Sequence, residues 1–218
     1  MKRSDLAIWI VLRSYQLLGL NVVDFPLWTG THLHCNGSPR EGVPLIAERA
    51  RIEFVRLTEV PLSVVVKLLN EPRNARHMPL SGEFSEESAA VWVQGKDEQW
   101  GAHGYGPWAV VMNGEFAGWC GFQHEENGAD FALVLSPERW GNGAEITRAA
   151  LDRGFNELGL DDVVIALPYT RNPTRVVARF GFVPDGEVSY GGTSFQQYRL
   201  TREAWAAVIT AQPEVGTT

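Results

Sequence analysis

An apolar run, Phe131-Ala132-Leu133-Val134-Leu135, passes through Ser136-Pro137-Glu138-Arg139 into Trp140-Gly141-Asn142-Gly143 and then a long amphipathic stretch. Residues 130–135 read as a strand entering that glycine-containing loop. A clear helix from Ala144 to Leu158 comes next, closed by Gly159. Val163 to Leu167 then reads as a short strand, apolar throughout, as a sheet interior demands. A β-loop-α-β unit of this kind confines the chain to the α/β classes.

Elements on either side fill out the order. Arg51 to Leu57 reads as a strand, and Pro61 to Asn70 as a helix with Pro in its first turn. Ser85 is a good N-cap for a helix reaching about Gln99, with Glu86 and Glu87 placed well against the helix dipole. Trp108 to Met112 and Glu115 to Gln123 flank Asn113-Gly114, a strong hairpin signal, and Asn127-Gly128 turns the chain into the strand at Asp130. Pro173 to Phe180 predicts a further helix, closed by Gly181. A last hairpin over Val188 to Leu200 turns at Gly191-Gly192, and Thr201 caps a final helix. The expected order is therefore β-α-α-β-β-β-loop-α-β-α-β-β-α.

Upstream, a helix is expected over Asp5 to Leu18, then an irregular Gly/Pro-containing arm. The division expected is an N-terminal extension over 1–43, one domain over 44–211 and a disordered tail over 212–218. The arm's Leu6, Ile8, Trp9, Ile10 and Leu12 are too apolar to be left in water, so it should pack on its own core or on a second subunit. Lys2-Arg3 before a short apolar run is not expected to act as a signal peptide, because Asp5 and Arg13 interrupt it and no small-residue cleavage site follows. No stretch is long enough to span a bilayer, so a cytoplasmic location is the expectation.

The net charge is -7, and no Lys/Arg run occurs, which argues against a nucleic-acid partner. The two cysteines, Cys35 and Cys120, make no disulfide framework, and Cys120 in its apolar run reads as a core residue. His32, His34 and Cys35 have metal-ligand types but lack a second pair, so no metal is expected.

Glycines at a strand-to-helix turn let backbone N–H groups converge on an anion, with the helix N-terminus behind them. Gly141-Asn142-Gly143 has that placement. Neither the dinucleotide fingerprint nor the Gly-Lys-Ser/Thr loop is present. In the next unit Asn172-Pro173 opens a helix ending Arg179-Phe180-Gly181-Phe182. Together with Leu135-Ser136-Pro137-Glu138, Trp140 to Gly143, Glu145, Phe155, Leu158-Gly159-Leu160 and the hairpin from Trp108 to Gly121, these residues resemble the GCN5-related N-acetyltransferase superfamily. More narrowly, they resemble its ribosomal-protein-alanine-acetyltransferase branch, with the likeness running over about Leu45 to Trp205.

That resemblance implies a mixed, centrally splayed sheet flanked by helices, an α/β (α+β) fold binding acetyl-CoA. The acyl-CoA would wedge between the strands at Asp130–Leu135 and Val163–Leu167. Its pantetheine would pair with Val134 and Leu135, and its pyrophosphate would sit on the amides of Trp140, Gly141, Asn142, Gly143 and Ala144, with Asn172 nearby. A neutral amine of a small molecule or peptide would attack the thioester, needing a base and an acid. Asp130 aligns with the branch's acidic residue at this strand. His124, Glu125 and Glu126 lie just upstream, as relay groups or as a solvated hairpin tip. The family's usual tyrosine position holds Val177, which leaves Tyr169 as the substitute acid. An aminoglycoside-type acetyltransferase and a non-catalytic acyl-CoA sensor are the alternatives, and a homodimer would fit the family. The aromatics Trp92, Trp100, Tyr105, Trp108 and Trp119 are either core or pocket lining, with Trp100 to Trp108 expected as a loop over the acceptor side.

Overall fold

Asn113 and Gly114 both adopt positive φ, 52° and 81°. That geometry gives the two-residue turn whose twist matches paired strands, and it folds β3 (Pro107–Met112) onto β4 (Glu115–Glu125). The computed structural model describes residues 8–9, 50–75, 83–169, 174–190 and 192–211. Along it run β1 (Ile8–Trp9), β2 (Ile52–Arg56), α1 (Leu62–Leu69), α2 (Pro72–Ala75) and α3 (Glu86–His103), then β3, β4 and β5 (Gly128–Leu135). There follow α4 (Gly143–Asn156), β6 (Asp162–Pro168), α5 (Thr174–Arg179), β7 (Val183–Tyr190), β8 (Thr193–Thr201) and α6 (Arg202–Ala211). The strands order as β2-β3-β4-β5-β6-β8-β7, with β1 added beside β5. Every neighbouring pair is antiparallel except β5 and β6. This is the mixed sheet expected.

Helices cover both faces. The stripe Ala89, Trp92 and Val93 of α3 is buried, and Trp92 meets Trp119 of β4 edge-on with ring centroids 5.3 Å apart. On the other face, α4 comes so close to β4 that a β-carbon on Gly154 would stand 2.4 Å from the Phe122 ring. Trp119, Phe122, Leu133, Leu135, Ile146, Leu151 and Phe155 are fully buried between these layers. Each such side chain contributes on the order of 1.5–3 kcal/mol relative to exposure. Cys120 is in this core, where burial pushes its thiol well above the ordinary range.

Four expectations are corrected. The Gly-containing loop before α4 is a 3-10 helix, Pro137–Asn142, running straight into the α-helix. Pro137 in its first turn has the φ this needs, and neither Gly141 nor Gly143 takes positive φ. The helix expected to stop near Gln99 continues to His103, with Gly104 in the left-handed C-cap. Burial overrides the two glycines here, because Trp100 packs on Trp108 and donates from Nε1 to the Pro107 carbonyl at 3.1 Å. The loop over 100–108 shrinks accordingly to residues 104–106. The first strand of the last hairpin begins at Val183 rather than Val188. Finally, Ile8 and Trp9, expected inside a helix, form a strand against β5; β-branched and aromatic residues suit the open strand edge they cover. The remainder of that helix, and His32, His34, Cys35 and the tail over 212–218, lie outside the described residues.

Candidate active site

β5 and β6 are joined at one register pair, Asp130 with Val164. Beyond it, Phe131 to Leu135 continue along β4 with no β6 partner, so the two parallel strands part. One edge of β5 is held by β4, so β1 must take the other, the edge turned toward β6, opposite Leu133 and Val134. An extended group entering the gap would meet that edge.

Peptides alternate along a strand, which decides what the edge offers. The Ser136 amide donates to Ala117 of the chain before β5, and the Val134 carbonyl lies 2.1 Å from where a β-carbon on Gly118 would stand. Val134 therefore turns its peptide toward β4. Leu133 and Leu135 face the gap. Two side chains already donate to the Leu135 carbonyl, Asn74 Nδ2 and Trp140 Nε1, each at 3.2 Å. Of the two residues expected to pair with a pantetheine, Leu135 faces the gap with its carbonyl occupied, and Val134 does not face it. Leu133, which the sequence reading passed over, takes the better position.

At the end of β5, α4 opens with Asn142 as its N-cap, and no side chain caps its first turn. Gly141 is exposed, and a β-carbon there would meet nothing within 4 Å. Both features suit the approach of a phosphate to the backbone. Ala144 is half-buried in the first turn of α4 and Gly143 is buried. Asn172 lies outside the described residues.

Asp130 is 3% exposed. It stands opposite Gln123 of β4, and cross-strand partners share a face. That face carries Trp119, which packs on α3, so Asp130 and Gln123 lie on the α3 side. From α3, Lys96 Nζ donates to Gln123 Oε1, with the ammonium 5.8 Å from the Trp92 ring centroid. Burial pushes the Lys96 amine down to about 8, while the charges of Glu125 and Asp130 oppose that shift. Glu125, half-buried at the end of β4, thus acts on the same ammonium as Asp130. His124 turns away, stacked on His103 at 3.8 Å, with Nδ1 3.0 Å from Tyr105 Oη. Glu126 is exposed at the hairpin tip.

Tyr169 does not join this group. It follows β6 five residues beyond Val164, about 16 Å along the strand direction. Its hydroxyl donates to Glu187 at 2.5 Å on the surface, a bond that also raises its pKa. Lys96 and Gln123 are the residues the sequence reading missed. A signal existed, since Lys96 completes the stripe Ala89, Trp92, Val93 at helical spacing, a place where a lysine is out of character. Of the five aromatics, Trp92, Trp108 and Trp119 are core, while Trp100 and Tyr105 are half-buried. Among the described residues no three His, Cys, Asp or Glu side chains converge as metal ligands do, and no helix is long and apolar enough to cross a membrane.

Residues 51–183 match the family model described as an acetyltransferase (GNAT) domain. Among curated proteins none matches the sequence significantly. Solved structures share the fold at low identity. A GnaT-family acetyltransferase from Bordetella pertussis is 18% identical, covering 71% of this chain and 97% of that one, with a TM-score of 0.56. An aminoglycoside acetyltransferase in complex with coenzyme A is 15% identical, covering 72% of this chain and 98% of that one, with a TM-score of 0.57. A spermidine N-acetyltransferase chimera from Vibrio cholerae and hSSAT is 15% identical, covering 73% of this chain and 99% of that one, with a TM-score of 0.54.

Proposed function

The chain belongs to the GNAT acetyltransferase family, and from that premise we propose that it moves the acetyl group of acetyl-CoA to a primary amine of a small molecule or peptide. The carrying observation is the gap between β5 and β6, which opens beyond the single bridge at Asp130 and runs to the N-terminus of α4. Acetyl-CoA supplies the activated thioester. Its pantetheine fits the β5 edge at Leu133 and Leu135, taking the place that β1 covers there, and its pyrophosphate fits the amides from Trp140 to Ala144. Asp130, at the closed end of the gap, accepts the proton the attacking amine must lose, directly or through a water. Glu125 adds negative charge on the same side, favouring a cationic acceptor.

Polyamines and aminoglycosides suit that charge, and the net charge of -7 agrees. The structures of similar fold named for spermidine and an aminoglycoside point the same way. Tyr169, held by Glu187, has no role in this scheme; a thiolate is basic enough to take a proton from solvent and weak enough to leave without one. A homodimer belongs to the same reading, resting on the family resemblance alone.

An amine screen following thiol release from acetyl-CoA tests the reading, with polyamines, aminoglycosides and peptide N-termini as acceptors. Asp130→Asn should lower turnover on the order of 10²–10⁴-fold, with little change in the Michaelis constant for acetyl-CoA. Turnover near wild type in that variant would remove Asp130 from the mechanism.

A further inference from the structure

We propose that Lys96 is a positioning residue for the acetyl transfer: from the buried face of α3 it orients Gln123 and supplies the positive charge against which Asp130 is held as a carboxylate. This rests on the reading of Asp130 as the base. Three polar side chains, Lys96, Gln123 and Asp130, are 5%, 0% and 3% exposed in a layer that also holds Ala89, Trp92, Val93 and Trp119. They run in line from α3 across β4 to β5 and end at the one bridge between the parting strands. Packing does not ask for such a line, since apolar residues of similar volume fill a core at no loss of stability and often at a gain.

The chemistry of the site does ask for it. A base that accepts a proton from an amine must enter the reaction ionised, and burial alone drives a carboxyl toward its neutral form. A cation nearby reverses that drift. The charged groups facing Lys96 are Glu125 from β4 and Asp130 from β5. Its neighbours on α3 look elsewhere, Asp97 to Arg56 and Thr58, and Glu98 to Gln94. The hydrogen bond fixes the Gln123 amide with its oxygen toward Lys96, so its NH₂ end is turned away from the ammonium. Lys96 carries its charge at neutral pH because its pKa, though lowered, stays near 8.

The test follows the Asp130 carboxyl itself, by NMR titration of carbon-13-labelled aspartate in the full chain, assigned with Asp130→Asn. In Lys96→Met the Asp130 midpoint should rise by about one to three pH units, the shift an adjacent opposite charge produces. Lys96→Arg should restore it, and the acid limb of kcat, read as spermidine-dependent thiol release, should move by the same amount. A purely structural lysine would lower the melting temperature and leave the midpoint in place. Should Lys96→Met fail to fold, Lys96→Gln keeps a polar group and removes the charge, with the same shift expected. An unmoved Asp130 midpoint in a folded, uncharged variant overturns the proposal. Full turnover in Asp130→Asn instead overturns the reading of Asp130 as base, whatever the titration shows.

Discussion

Replacing Gly141 by valine separates cofactor binding from folding. The residue is exposed, its φ lies outside the left-handed region, and a β-carbon there meets nothing within 4 Å. Folding stability should therefore stay within about 0.5 kcal/mol of wild type, as for surface changes away from special features. A pyrophosphate lying on the amides from Trp140 to Ala144 would meet the two new methyl groups. Losing one charge-assisted hydrogen bond costs about 1.5–3 kcal/mol, or roughly 10- to 150-fold in Kd. Gly143 is a poorer probe, because it is buried at the start of α4 and a valine there disturbs the helix as well. Calorimetry with CoA and with pantetheine reads the effect. The expected result is weakened CoA binding, pantetheine binding as in wild type, and an unchanged melting temperature. An unchanged affinity for CoA in the folded variant would refute this placement of the phosphates.

Saturating CoA at a hundredfold its Kd should stabilise the fold by about 2.7 kcal/mol in a thermal-shift assay, and hydrogen exchange at the Ile8 and Trp9 amides should quicken as pantetheine takes the edge β1 now covers. Stability against denaturant should rise between about pH 8 and 9. Lys96 releases its proton near 8 in the folded chain and near 10.5 when unfolded, so the unfolded state binds more protons across that window. Above about 9 the buried Cys120 thiol keeps a proton that the unfolded thiol loses, which cancels the slope. In Cys120→Ala the rise should continue to about 10.5, and in Lys96→Met it should vanish.

Much of the sheet was legible because its signals are local. Asn113-Gly114 sets a turn whatever surrounds it, Ser85 caps α3 by accepting from the Ser88 amide, and the apolar runs at 131–135 and 163–167 are buried on both faces. Where the reading failed, tertiary contacts decided. Nothing in the residues 100–103 alone says that the helix continues; Trp100 reaching Trp108 and Pro107 does. Nothing near Ile8 says strand; the vacant edge of β5 does. The site divides the same way. Asp130 comes from the resemblance, which aligns it with the acidic residue that opens this strand. Its company does not, since Lys96 lies 34 residues earlier in the chain and meets Gln123 only after α3 is laid across β4.

The buried polar line and the parting of the strands meet at the same residue, Asp130. β5 continues to pair with β4 through Leu135, so nothing in its own backbone ends the ladder with β6. The bridge lies where the line from α3 across β4 ends, and beyond it the α3 side of β5 carries only Ala132 and Val134. A polar line buried in an apolar layer breaks a rule that the rest of the core obeys, and such breaks concentrate at functional sites. In the proposed scheme this break falls at the closed end of the gap, where the attacking amine would meet Asp130 as a carboxylate.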